Sequence, residues 1–320
     1  MLKQIKEPIS YHLDNFEPFF KKNMGSNIRL LDLVTNYILR RKGKQLRPML
    51  VFLSAGACGQ INQSTYVAAS MVELLHTATL VHDDVVDEAY ERRGVFSVYA
   101  LWRSKVSVLV GDFILSRGLL VAVENNQFEM LRVISGAVKD MSEGELLQIE
   151  RSRKMNIDED TYYEIIRKKT ASLIASCCTN GALSVNASAD LVNGMKDYGQ
   201  NLGMAFQIRD DLFDYQSSGL IGKPTGNDIK EHKLTLPLIY AFSKSDSSEK
   251  RRIVRLINGG KKSNIVKIVD FAKRNGGIDY AKQKMLNYRD SAKKAIESFP
   301  ESEYKRSLLL LADYIVNREK

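Results

Sequence analysis

The chain has 320 residues, with 47 Lys+Arg against 38 Asp+Glu, a formal charge of +9, 44% apolar and 27% charged residues. This is ordinary composition for a globular protein with a sizeable core, and it excludes disordered, collagen-like and low-complexity classes. Only six prolines occur, none of them between Pro48 and Pro224, which argues against a turn-rich all-β plan.

Apolar residues recur at helical spacing along nearly the whole chain, as in the stripe Leu30, Leu33, Val34, Tyr37 and Ile38. The pattern predicts helices over about 8–22, 26–41, 47–58, 64–88, 96–125, 127–152, 159–186 and 189–216. Shorter ones follow at roughly 232–243, 247–257, 263–275, 277–298 and 302–317. No strand-like alternation competes, and no repeat period is visible. The turns at Arg93-Gly94, Ser217 to Gly226, Gly259-Gly260 and Gly276-Gly277 are too short for interdomain linkers. Residues 1–320 therefore read as one all-α domain, with a basic helical part over about 230–320.

Val106 to Val123 is the best membrane-span candidate, but Asp112 and Arg117 within it make it read as a buried helix. Cys58, Cys177 and Cys178 offer neither a C-x-x-C pair nor zinc spacing, and Met1 to Pro8 is charged rather than apolar. Both features predict a reducing cytoplasm.

Charge is unevenly spread. Residues 230–320 hold 21 Lys+Arg and 11 Asp+Glu, whereas residues 1–229 hold 26 and 27. The basic tail interleaves acids on ordinary helical stripes, which predicts a solvated face with at most peripheral membrane contact and no nucleic-acid binding.

The densest chemistry is His82-Asp83-Asp84-Val85-Val86-Asp87, whose D-D-x-x-D spacing returns as Asp210-Asp211-Leu212-Phe213-Asp214. On a helix, Asp83 and Asp87 share a face, as do Asp210 and Asp214. Like charges so placed destabilise a helix by roughly 0.2–0.5 kcal/mol per pair. A lone acidic run is usually a solvated face. Two copies of one spacing threaded through Val81, Val85, Phe206, Ile208 and Leu212 call for compensating cations, and hard oxygen donors suit Mg²⁺. Cations stand nearby at Lys44, Arg47, Arg92, Arg93, Lys168, Lys169 and Lys223, so a diphosphate site is the best joint account.

With these motifs in hand, the chain resembles the trans-isoprenyl diphosphate synthases of the polyprenyl synthetase family. The likeness runs from Gly43-Lys44-Gln45-Leu46-Arg47-Pro48 through both acidic clusters and Lys169-Thr170 to the stretch Gly222 to Pro237. It implies the isoprenoid synthase fold, a helical bundle around a deep central cavity, and a homodimer. It implies Asp83, Asp84, Asp87, Asp210, Asp211 and Asp214 as ligands of Mg²⁺, three ions per site. Lys44, Arg47, His76 and Arg93 match positions for isopentenyl diphosphate, and Arg92, Lys169, Lys223 and Lys233 positions for the allylic diphosphate. Thr170 and Gln207, with Lys169, match positions near the reacting carbon. Lys42, Gln45 and His232 depart from the family pattern at a glycine, an arginine and a glycine respectively, while the key cations are kept.

The reaction so implied is ionisation, condensation and elimination, with the departing diphosphate able to accept the proton. Short-chain members carry aromatics one turn before the first cluster, where this chain has Ala78 and Thr79. Small residues there leave a path toward Leu75, Leu74 and Met71 and imply a product of about 30–50 carbons, counting roughly one isoprene unit per helical turn. In the alternative reading Ala78 packs on a neighbouring helix and the product is geranylgeranyl or farnesyl diphosphate. A class I terpene cyclase would lack the second cluster and the isopentenyl-binding cations. A phosphohydrolase built on His76, His82 and Asp83 leaves Asp210 to Asp214 unexplained, a basic surface binder explains neither cluster, and a regulatory paralogue would have lost aspartates.

Overall fold

The computed structural model describes residues 1–40, 45–92, 94–154, 157–215, 229 and 233–318. Lys44, Arg93, Lys223, Lys42 and His232 lie outside the described residues. Helix dominates what is described: α1 (Leu2–Lys6), α2 (Ser10–Met24), α3 (Arg29–Leu39), α4 (Leu46–Cys58), α5 (Gln63–Val86), α6 (Val98–Glu124) and α7 (Phe128–Lys154). Next come α8 (Glu159–Ile166), a π turn at Arg167–Ala171, α9 (Ser172–Ser184) and α10 (Ala189–Phe213). The series closes with α11 (Leu236–Ser243), α12 (Ser247–Asn258), α13 (Lys262–Arg274), α14 (Gly277–Ala295) and α15 (Glu303–Asn317).

The all-α expectation and its helix boundaries hold to within a few residues, with three additions, the first being α1, which precedes every expected helix. A hairpin of β1 (Glu91–Arg92) and β2 (Val95–Phe96) pairs Glu91 with Phe96 and Arg92 with Val95, and Gly94 supplies its turn at φ +76°. Two-residue strands are too short to show alternation. The π turn interrupts the helix expected over 159–186, and its one extra residue shifts the apolar stripe by a single position.

The chain divides into two compact units. The first comprises Met1–Val138, Ser176–Lys196 and Ser298–Leu308; the second comprises Lys139–Ala175, Asp197–Glu297 and Leu309–Lys320.

In the first unit, α5 begins at a capping box: Asn62 Oδ1 accepts the Ser64 N–H at 2.8 Å, and Thr65 Oγ1 accepts the Asn62 N–H at 3.3 Å. Helix α6 meets α5 at Gly111 and Gly118. A Cβ at Gly118 would lie 3.1 Å from Leu75 Cγ, and one at Gly111 would overlap the His82 ring. Seven residues separate each pair, so the helices run antiparallel with a heptad seam. Only one face of α6 is buried, through Val110, Ile114 and Val121. The expectation of a buried helix thus holds for that face alone, since 39% of its most apolar stretch is buried.

In the second unit, α10 carries Gly199 and Gly203 four residues apart. A Cβ at Gly199 would lie 2.7 Å from Ala175 Cα, and one at Gly203 would lie 2.5 Å from Ala171 Cα. Both helices therefore approach backbone to backbone, which fixes their register. Continuing in fours along α10 leads from Gly203 to Gln207 and Asp211. Around this frame α11 to α14 bury Leu236, Leu238, Ile253, Phe271 and Met285.

Candidate active site

The first acidic cluster closes α5. Asp83 and Asp84 lie in its last turn and Asp87 is its C-cap, with the Asp87 N–H bonded to the Asp83 carbonyl at 2.8 Å. On α10 the placement repeats: Asp210 and Asp211 occupy the last turn, and the Asp214 N–H bonds to the Asp211 carbonyl at 3.2 Å. A helix C-terminus is the negative end of the macrodipole, so carboxylates there are disfavoured until a cation answers them.

Each cluster splits by burial. Asp84 and Asp211 are each 4% exposed, whereas Asp83, Asp87 and Asp210 are exposed and Asp214 is half-buried. The buried members are held by the protein. Arg92 Nε, from β1, donates to Asp84 Oδ1 at 2.6 Å. Asp211 accepts from Gln207 Nε2 at 2.8 Å through Oδ1 and from the Tyr162 hydroxyl at 2.7 Å through Oδ2. Thr170 Oγ1 donates in turn to Gln207 Oε1 at 2.7 Å.

Among the described residues no three His, Cys, Asp or Glu side chains converge into a ready-made metal site. The donors nonetheless fit a hard cation: they are all carboxylate oxygens, and Asp83 and Asp87 are exposed at i, i+4. Mg²⁺ typically takes one or two carboxylates and completes its shell with waters and phosphate oxygens.

The π turn carries Lys168, Lys169 and Thr170. Lys168 Nζ pairs with Glu143 Oε2 at 2.9 Å, and Lys169 Nζ pairs with Glu145 and bonds to Gln148 Oε1 at 2.9 Å. Gly144 of α7 makes room for that turn, since a Cβ there would sit 2.9 Å from Lys169 N. A cavity of about 90 Å³ in the second unit is lined by Gln148, Lys169, Thr170, Gln207, Asp211 and Lys233. The structure thereby brings Lys169, Thr170, Gln207, Asp211 and Lys233 to one pocket.

Arg47 sits half-buried at the start of α4, after Gln45 in the left-handed region at φ 52°. His76 is 7% exposed on α5, seven residues before Asp83. Leu75 and Ala78 are buried at 2% and 1% exposure, and Thr79, half-buried, donates its hydroxyl to the His76 carbonyl at 2.8 Å. Ala78 lies between Leu75 and His82, the residues that meet α6, and so shares the α6-facing side.

Two residues at the second cluster escaped the sequence reading. Tyr162 looks like an ordinary core aromatic at helical spacing. Arg318 is one more cation in a basic tail, yet its Nη2 donates to Asp210 Oδ1 at 3.0 Å.

The profile of the polyprenyl synthetase family matches residues 28–272. The chain belongs to this family. As a polyprenyl synthetase it is 32% identical over 318 residues to the all-trans-nonaprenyl-diphosphate synthase (geranyl-diphosphate specific) of Rhodobacter capsulatus, covering 99% of this chain and 98% of that one. Its fold is similar to that of a polyprenyl synthase from Caulobacter crescentus complexed with calcium and isoprenyl diphosphate, at TM-score 0.90 and 32% identity, covering 100% and 98% of the two chains. A geranylgeranyl pyrophosphate synthase from Bacteroides thetaiotaomicron aligns at TM-score 0.83 and 38% identity over 99% of each chain.

Proposed function

We propose that this polyprenyl synthetase condenses isopentenyl diphosphate with an allylic diphosphate primer to give an all-trans polyprenyl diphosphate of medium or long chain. The observation that carries the reading is the repeated ending of α5 and α10 in a D-D-x-x-D cluster. The likeness to a nonaprenyl-diphosphate synthase supports the longer product. Geranylgeranyl diphosphate is the second reading, favoured by the 38% identity to the Bacteroides enzyme.

In this reading Asp83, Asp87 and Asp210 meet Mg²⁺ directly, because they are the exposed members, with Asp214 beside them. Asp84 and Asp211, committed to Arg92, Gln207 and Tyr162, hold the clusters in shape. Mg²⁺, three ions in all, supplies charge neutralisation for the leaving diphosphate. Lys169 and Lys233, with Arg92 and Lys223, bind the allylic diphosphate, while Lys44, Arg47, His76 and Arg93 orient isopentenyl diphosphate. Breaking the allylic C–O bond sends its electron pair to the diphosphate. The isopentenyl double bond then forms the new C–C bond, and the proton lost on elimination goes to the released diphosphate. Thr170 and Gln207 fix polar atoms beside the reacting carbon.

We also place the enzyme in the cytoplasm as a homodimer of one-domain chains. Its three cysteines are free thiols, and each compact unit draws on three separate stretches of chain. Support for the dimer comes from the outer face of α6, which exposes Leu101, Val108, Leu109, Leu120 and Val123; a self-complementary partner would cover such a stripe. The test is incubation of purified protein with Mg²⁺, isopentenyl diphosphate and each primer in turn, with products sized by chromatography. Absence of Mg²⁺-dependent condensation with every primer sinks the reading, and a farnesyl-only product sinks the longer chain.

A further inference from the structure

A single stripe runs down each of two facing helices in the second unit. On α10 it advances in fours, through Gly199, Gly203, Gln207 and Asp211. On the opposing helix, read backward, it passes from Ala175 to Ala171 in four residues, the two positions that meet Gly199 and Gly203. The π turn then takes five residues to reach Ile166, and four more lead to Tyr162. A regular helix would have brought position 163 onto this stripe. Tyr163 instead turns away and bonds to Glu159 Oε1 at 2.9 Å. The extra residue of the π turn is therefore what sets Tyr162 opposite Asp211.

We propose that Tyr162 is a positioning residue of the second acidic cluster, its hydroxyl fixing the Asp211 carboxylate so that the end of α10 presents Asp210 and Asp214 to the metal ions and diphosphate. The role rests on the functional reading above. Tyr162 is 3% exposed and Asp211 4% exposed, and the bond between them is 2.7 Å. With Gln207 on the other oxygen at 2.8 Å, the carboxylate is clamped from two sides and its rotamer is set. The same helix carries Lys169 and Thr170, and Thr170 holds Gln207 at 2.7 Å. Two side-chain rungs thus tie the π-containing helix to α10 immediately beside the metal-binding end.

The test compares the full-length wild type with Tyr162→Phe, Asp211→Asn and the double variant. Mn²⁺ binding is followed by electron paramagnetic resonance with inorganic diphosphate present and no turnover. Condensation assays add the Mg²⁺ half-saturation and the KM for each substrate. Tyr162→Phe is expected to weaken Mn²⁺ binding and raise the Mg²⁺ half-saturation about 3–10-fold, a fraction of the roughly 10–150-fold that one hydrogen bond to a charged group can be worth, because Tyr162 acts on the ions only through Asp211. The KM for isopentenyl diphosphate should stay within about twofold, and the double variant should be no worse than Asp211→Asn alone. Wild-type metal affinity in Tyr162→Phe overturns the proposal, as do effects of the two substitutions that multiply. Should Tyr162→Phe fail to fold, Asp211→Asn still decides, since unchanged Mn²⁺ binding there removes the carboxylate that Tyr162 is proposed to hold. A wild type with no Mg²⁺-dependent prenyl transfer sinks the functional reading first, whereas an active wild type with an unchanged Tyr162→Phe sinks only the positioning role.

Discussion

Arg318 Nη2 donates to Asp210 Oδ1 at 3.0 Å, linking the last turn of α10 to the end of α15 across 108 residues of sequence. The contact is more than an ion pair. The guanidinium lies 4.0 Å over the Phe206 ring, and the Arg318 carbonyl accepts from Arg209 Nη2 at 2.6 Å. Since the Arg318 side chain is 13% exposed and that of Asp210 55%, the packing of the arginine outweighs the screened charge pair.

Arg318→Ala is therefore expected to destabilise the protein by about 1–2 kcal/mol, largely through the lost stack on the ring. Arg318→Lys should recover only part of that, because an ammonium lacks the planar face. Urea denaturation of both variants checks the order.

The burial split within each cluster predicts different phenotypes for adjacent aspartates. Asp83→Ala and Asp210→Ala should lower kcat on the order of 10²–10³-fold, as loss of one electrostatic partner of the leaving group does, with little change in melting temperature. Asp84→Ala should also lower stability, by about 1–3 kcal/mol, because Arg92 loses its buried acceptor. Paired melting curves and Mg²⁺-dependent rates separate the two classes.

At Gly203, any side chain collides with backbone rather than with a movable tip, the nearest atom being Ala171 Cα at 2.5 Å. Gly203→Ala should cost about 1–3 kcal/mol or more through forced separation of the helices. It should also reduce activity by shifting Gln207, one turn away. A melting temperature equal to wild type contradicts the close-packed register.

Ala78→Tyr tests the product-length argument. If growing chain passes this side of α5, the bulkier residue shortens the product, and chromatography of the isoprenoids detects the shift. An unchanged product spectrum in a folded variant assigns Ala78 to helix packing alone.

Three thiols set an alkaline limit. Burial raises Cys58 and Cys178 to about 12 from 9.0, and pushes Cys177 up as well. Above pH 9 the unfolded chain releases these protons while the folded chain keeps them, so stability is intact below about pH 9 and falls as pH rises beyond it. Thermal melts between pH 8 and 11 should show the decline, with a shallower slope in Cys58→Ala.

Much of this protein is legible in its sequence. Helical periodicity marks every long helix, because it reports the local alternation of buried and solvated faces. The twin acidic clusters declare metal and diphosphate chemistry because their ligand spacing lies within one helical turn. Likewise, the cations Lys169 and Lys233 are visible as residues, although only folding brings them to a pocket with Asp211.

Tertiary structure alone decided which aspartates are exposed and which are buried. Asp83 and Asp84 are neighbours with the same chemistry, yet one is exposed and the other bonded to Arg92. Tyr162 reaches Asp211 across 49 residues, and only because a π turn shifts its helix by one position. The basic tail reads as solvated surface, although one of its cations, Arg318, is folded onto Asp210. Short-range spacing encodes which groups a chain carries, whereas their partners depend on contacts between distant segments, and those exist only once the helices have packed.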